Sequence, residues 1–157
     1  WGVYSRQVSE VLIPLALKEG WSVVGHEHPR WQGQLMLSWK AMGVPTVSYD
    51  EVMETATLLV ADNTSMLPEF ASTGRPVLWL NSPEWRLDVH HGGRFYDWPR
   101  GQIVCEAPQD LGHAVANAML DAPAVRRARD QMVADVYLAV DGKATERAVE
   151  AIETHVR

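Results

Sequence analysis

Apolar residues along the chain fall into two alternating patterns. Short unbroken apolar runs are typical of strands covered on both faces of a parallel sheet. Between these runs, apolar residues recur at the spacing of one helix face. The predicted strands are 21–25, 44–49, 57–61, 77–80 and 102–107. The predicted helices are 8–18, 31–42, 50–56, 64–72, 108–120, 124–140 and one from 141 onward.

This alternation predicts the fold class. Strands that alternate with helices form an α/β fold, here a Rossmann-like, mostly parallel sheet with right-handed crossovers and helices on both faces. A chain of 157 residues is about the size of one domain. We therefore interpret residues 1–157 as a single domain, with its ligand site beyond the carboxyl ends of the strands.

The central unit of the predicted sheet is the stretch 57–80. Its first apolar run stops at Asp62, and the residues 63–65 are of the kind that cap a helix. Pro68 is tolerable in a first helical turn, where backbone N–H groups lack intrahelical partners. Gly74 is expected just past the helix C-terminus, ahead of the strand 77–80. The pattern predicts a β-α-β unit.

The start of the helix in this unit is open to two interpretations. A helix that begins at the carboxyl end of a parallel strand directs free N–H groups and its positive dipole end outward, where an anion can bind. Thr64 and Ser65 add hydroxyl donors there. Capping residues are also common at helix starts without any ligand. The local pattern leaves both interpretations open.

Several motifs in the chain resemble a known family. Asp62 to Ser65, Glu69-Phe-Ala and Gly74 to Val77 look like the Asp-x-Ser-Ser, Glu/Asp-Phe-Ala and Gly-x-Pro-Val signature of CDP-glycerol glycerophosphotransferases, which build teichoic-acid-type polymers. The pattern is more distantly similar to the nucleotide half of UDP-N-acetylglucosamine 2-epimerases. Both families have the two-domain GT-B fold, so the resemblance implies one half of such a fold. The remaining matches are His28-Pro29, 94–97 and 141–147.

The resemblance implies roles for particular residues. Asn63, Thr64 and Ser65, at the helix N-terminus, would hold the donor diphosphate, and Glu69 would approach the ribose. Arg94 falls on the family's Arg-x-Phe-Tyr position. A guanidinium there can bind phosphate oxygens bidentately. Surface salt bridging is the other interpretation of this arginine.

His28 is the candidate catalytic residue. In the resembled family the histidine of the His-Pro pair lies at the carboxyl end of its strand, in the cleft between the domains. The chain departs from the family two positions earlier, where His26 stands in place of the usual Lys or Arg, and Glu27 adds a negative charge. No metal site is predicted at these histidines, because a third ligand with suitable spacing is missing.

The resemblance implies a transferase. The chain would be the donor-binding half of an enzyme that moves glycerol phosphate, or a sugar, from a nucleotide-diphosphate donor to a polymer hydroxyl. The donor would be CDP-glycerol or a nucleotide sugar, with no further cofactor required. Because no strand precedes Trp1, we expect a piece of a longer chain whose missing N-terminal domain binds the acceptor. The alternative is a non-catalytic structural or interaction module derived from such a domain.

The composition argues against several other classes of protein. The net charge of −6 argues against a general nucleic-acid binder, which needs clustered Lys and Arg. No apolar run approaches the roughly 20 residues that span a bilayer, and no signal-peptide pattern is visible. We therefore expect a cytoplasmic protein, with any peripheral membrane association made through the missing part. Cys105, the single cysteine, allows no disulfide within one chain.

Overall fold

A computed structural model describes residues 5–27, 34–62, 64–81 and 103–156. In these ranges the strands are β1 (Leu59–Ala61), β2 (Val77–Leu80) and β3 (Ile103–Cys105). The helices are α1 (Ser5–Gln7), α2 (Ile13–Lys18), α3 (Gln34–Ala41), α4 (Tyr49–Thr55), α5 (Met66–Ala71), α6 (Leu111–Leu120), α7 (Pro123–Val136) and α8 (Ala144–His155). A π-helical turn at Val8–Leu12 joins α1 to α2, and a 3₁₀ turn at Pro108–Asp110 precedes α6.

The described strands form a small, open, parallel sheet in the order β1-β2-β3. The α/β class and the parallel direction are confirmed, but the sheet is smaller than predicted. The predicted strands 21–25 and 44–49 pair only through an isolated parallel bridge between Gly25 and Thr46. Pro45, next to that bridge, has no N–H to donate, which limits the ladder that this segment can build.

The core lies on both faces of β2. All four residues of this strand are buried, and consecutive side chains point to opposite faces. Leu78 and Leu80 pack with the π-helical turn and α6. Val77 and Trp79 pack with α4, α5 and α7. Helices therefore cover both faces of the sheet, as the unbroken apolar run predicts.

Three of the departures from the predicted helices have a local cause. The first helix contains the π-helical turn, directly before Pro14, which cannot donate an intrahelical hydrogen bond. The cap of α4 is Ser48, whose hydroxyl accepts a hydrogen bond from Glu51 N at 3.1 Å, so the helix begins at Tyr49, one residue earlier than predicted. Helix α7 ends at Val136 instead of residue 140, since the backbone of Tyr137 is extended.

The last helix stands apart from the core. No residue of α8 is buried, and its apolar residues Val149 and Ile152 are 49% and 63% exposed. Ahead of the helix, Asp141 accepts hydrogen bonds from Lys143 N and from the Arg147 guanidinium, while Lys143 occupies the N-cap position without a side-chain cap. Among the described residues, none of the helices has the length and apolar character needed to cross a membrane.

Candidate functional site

The predicted phosphate site is the turn between β1 and α5. Asp62 follows β1, and α5 begins at Met66. Thr64 is half-buried, and its Oγ1 accepts a hydrogen bond from Met66 N at 3.3 Å. Its carbonyl oxygen accepts another from Leu67 N, also at 3.3 Å. Thr64 therefore satisfies two backbone amides that the prediction assigns to an anion.

Ser65 occupies the N-cap position of α5 without acting as a cap. Its backbone is already helical, and its side chain makes no capping hydrogen bond. The residue is exposed, so its hydroxyl faces solvent at the carboxyl edge of the sheet. This hydroxyl is a donor that a ligand can reach, which is the role predicted for Ser65.

Glu69 lies one helical turn after Ser65 on α5. Residues four apart share one face of a helix, so the Ser65 hydroxyl and the Glu69 carboxylate lie on the same side. The Tyr49 hydroxyl, at the start of α4, donates a hydrogen bond to Glu69 Oε2 at 2.9 Å. This hydrogen bond raises the pKa of Tyr49 above its ordinary value, with a smaller contribution from burial.

Tyr137 approaches the same carboxylate from the end of α7. Burial raises the pKa of Tyr137, and the negative charge of Glu69 raises it further. Within the described ranges Tyr137 makes no hydrogen bond to Glu69, unlike Tyr49. Glu69 is thus the shared neighbour of two tyrosines that are far apart in sequence.

His26 adjoins this group from the segment after the Gly25 bridge. Its Nδ1 lies 3.2 Å from the carbonyl oxygen of Val47. A carbonyl only accepts, so Nδ1 carries the proton and Nε2 is left as an acceptor when the ring is neutral. The His26 ring meets the Tyr49 ring edge to face, with 6.3 Å between centroids. His26, Tyr49 and Glu69 therefore form a continuous row.

The other strands also end in polar residues. Asn81, directly after β2, is 3% exposed and donates from its side-chain amide to the Glu106 carboxylate, which follows β3. The backbone N–H of Asn81 donates to Cys105 O at 2.9 Å. These residues lie at the same sheet edge as Asp62, because the carboxyl ends of parallel strands meet at one edge.

Three of the predicted site residues, His28, Asn63 and Arg94, lie outside the described residues. Within the described part of the chain, no Lys or Arg donates to or pairs with Thr64, Ser65 or Glu69. The one charged group of these three is the carboxylate of Glu69. The positive charge that a diphosphate requires is therefore still assigned to Arg94 and to the dipole of α5.

The described chain also contains a groove of about 360 Å³ away from this turn. It runs between α5 and α7 and is covered by the segment after Tyr137. Thr64, Ser65 and Glu69 do not line it. Its walls are Ala71, Ser72, Gly74, Asp130, Val133, Ala134, Tyr137, Leu138, Ala139 and Val140. Within the described residues, this groove and the predicted chemistry therefore lie at different positions.

No protein-family model matches the chain, and no curated protein or solved structure shows significant similarity to it.

Among the described residues, no three His, Cys, Asp or Glu side chains are grouped closely enough to hold a metal ion. The geometry of the site and the motif resemblance therefore remain as the indications of function.

Sequence reasoning missed Tyr49, Tyr137 and Asn81. Asn81 directly follows the apolar run 77–80, so the rule that identified Asp62 would have identified it as well. The tyrosines carry no such signal. Tyr49 reaches Glu69 only because the tertiary fold brings the start of α4 to α5.

Proposed function

We propose that this chain is the donor-binding half of a GT-B transferase that moves glycerol phosphate, or a sugar, from a nucleotide-diphosphate donor to a polymer hydroxyl. The proposal is carried by one observation. Ser65, the exposed N-cap residue of α5, and Glu69, four residues later, have the spacing of one helix face and follow a strand of the parallel sheet at its carboxyl end. A hydroxyl donor suits a phosphate oxygen, and a carboxylate suits ribose hydroxyls.

In this account the Ser65 hydroxyl, the positive dipole end of α5 and Arg94 hold the diphosphate, while Glu69 accepts from the ribose. His28 assists the acceptor hydroxyl in its attack on the glycerol-linked phosphorus, and CMP leaves. Positioning and charge neutralisation account for such a transfer without a protein nucleophile.

The test is thermal melting of the chain with CDP, CMP and UDP. A ligand at 100 times its Kd stabilises by about 2.7 kcal/mol, which for a domain of this size raises the Tm by roughly 5–10 °C. CDP is expected to give the largest rise. Ser65→Ala should abolish most of it, whereas Ser72→Ala, at the other end of α5, should leave it unchanged. No rise at about 1 mM CDP would refute the proposal.

The second candidate is a non-catalytic interaction module derived from a transferase domain. Helix α8 favours it, because its apolar face is exposed and an isolated helix of this length is marginal in water. Glu146 and Glu153 lie three residues before and four after Val149, beside that face, so a partner with basic side chains would complement it. An unchanged Tm with every nucleotide would favour this candidate over the transferase.

A further inference from the structure

The hydrogen bond between Tyr49 and Glu69 connects two elements at the candidate site. Tyr49 is the first residue of α4, and Glu69 is in the first turn of α5. Their side chains meet at 2.9 Å with the tyrosine hydroxyl as the donor, since an ionised carboxylate only accepts. Tyr49 is 39% exposed, so the pair lies at the protein surface.

The hydrogen bond from Tyr49 occupies only some of the acceptor positions of the Glu69 carboxylate. Tyr49 donates to Oε2, and within the described ranges Oε1 accepts no hydrogen bond. A carboxylate has about four lone-pair sites, so a second donor pair can bind beside Tyr49. Two vicinal hydroxyl groups match this remaining capacity. The His26 ring, edge-on to Tyr49, restricts the position of the phenol and therefore of the carboxylate.

We propose that Tyr49 is a positioning residue that fixes the Glu69 carboxylate for the 2′ and 3′ hydroxyls of a ribose, so that the site selects ribonucleotides over their dideoxy analogues. This inference rests on the proposed function and adds a basis for selectivity. Tyr49 does not touch the ligand. It acts by holding Glu69 in one orientation before the ligand arrives, which reduces the ordering cost of binding.

The test compares the affinities of the full chain for CDP and for 2′,3′-dideoxy-CDP by calorimetric titration. The wild type should bind CDP about tenfold more tightly, since the analogue leaves a charged acceptor unpaired. Tyr49→Phe should weaken CDP binding about fivefold, the cost of ordering one side chain on binding, and leave the affinity for the dideoxy analogue unchanged. Glu69→Gln should remove the preference for the ribose altogether.

Tyr137→Phe is the matched control, because Tyr137 is also near Glu69 but makes no hydrogen bond to it in the described structure. This variant should leave the ratio of the affinities for CDP and 2′,3′-dideoxy-CDP unchanged. Equal weakening of both ligands in Tyr49→Phe, or no weakening of either, would overturn the inference. Equal wild-type affinity for the two ligands would overturn it while sparing the proposed phosphate site. No binding of CDP at all would overturn the proposed function and this inference together.

Discussion

Arg129 and Asp121 form a bidentate ion pair that connects α7 to the end of α6. The Arg129 side chain is fully buried, and its two terminal nitrogens lie 2.7 and 3.1 Å from the Asp121 carboxylate oxygens. One of them also donates to Gly74 O at 2.8 Å, in the turn after α5. A single guanidinium therefore links three segments, and Asp121 holds the left-handed conformation that ends α6.

We predict that Asp121→Asn destabilises the protein by about 3 kcal/mol, because it leaves the buried Arg129 guanidinium without its counter-charge. Asparagine suits the test because it is isosteric with Asp and tolerates the left-handed conformation. Urea unfolding measures the effect. Arg126→Met is the control, since this exposed arginine pairs with the same carboxylate and its loss should cost below about 1 kcal/mol. Equal losses in the two variants would contradict the account.

The same pair predicts a pH dependence. The hydrogen bond from Arg129 holds the pKa of Asp121 below its ordinary value of 3.8, although burial acts in the opposite direction. A carboxyl whose folded pKa is depressed contributes stability above its unfolded pKa and loses it as the pH falls through the folded pKa. The stability gap between wild type and Asp121→Asn should therefore narrow below about pH 4. A gap that stays constant would contradict this prediction.

Arg75 connects the turn before β2 to the end of α4. Its guanidinium donates to the carbonyl oxygens of Met53 and Ala56 and lies 4.4 Å from the centre of the Phe70 ring. We expect Arg75→Met to cost about 2 kcal/mol, because helix-end carbonyls lose a charged donor. Arg6→Met is the matched control: Arg6 pairs with Glu10 on an exposed face, and its loss should not change the urea midpoint. A cost for Arg75→Met no greater than that of Arg6→Met would refute the role assigned to Arg75.

Alanine substitution at two glycines should change the stability of the protein in opposite directions. A Cβ on Gly25 would lie 2.7 Å from Trp39 Cδ2, in a ring that is 4% exposed. Gly25→Ala should therefore cost about 1–3 kcal/mol through overpacking. A Cβ on Gly112, in α6, would lie at an ordinary 3.6 Å from Val11 Cγ1. Gly112→Ala should stabilise by about 0.5 kcal/mol through helix propensity. Melting temperatures that move in the same direction would contradict the packing described here.

The β-α-β unit was predictable because its signals are local. An apolar run, capping residues and a glycine past the helix end fix β1, α5 and β2, and Gly74 has the positive φ of 79° that the prediction requires. The extent of the sheet was not predictable in this way. The local pattern predicts strands at 21–25 and 44–49. Whether these segments form a hydrogen-bonded ladder depends on tertiary pairing, here at Gly25 and Thr46, which no local pattern encodes.

In the candidate site, too, some features were predictable from the sequence and others depend on contacts that the sequence does not show. The position of Ser65 at the carboxyl edge was predicted from topology, whereas Glu69 was predicted only from the motif resemblance. The hydrogen bonds from Met66 N and Leu67 N to Thr64 were not predicted, because a capping side chain and a ligand compete for the same amides. The hydrogen bond from Tyr49 to Glu69 joins residues far apart in sequence, so no spacing rule could find it.

The central claim is that the start of α5 binds the donor nucleotide. Amide chemical shifts of the ¹⁵N-labelled chain, recorded while CDP is titrated, test this claim most directly. We predict that the largest changes fall on Ser65, Met66 and Glu69. Changes confined to the groove residues 130–140, with those three amides unmoved at saturating CDP, would contradict it.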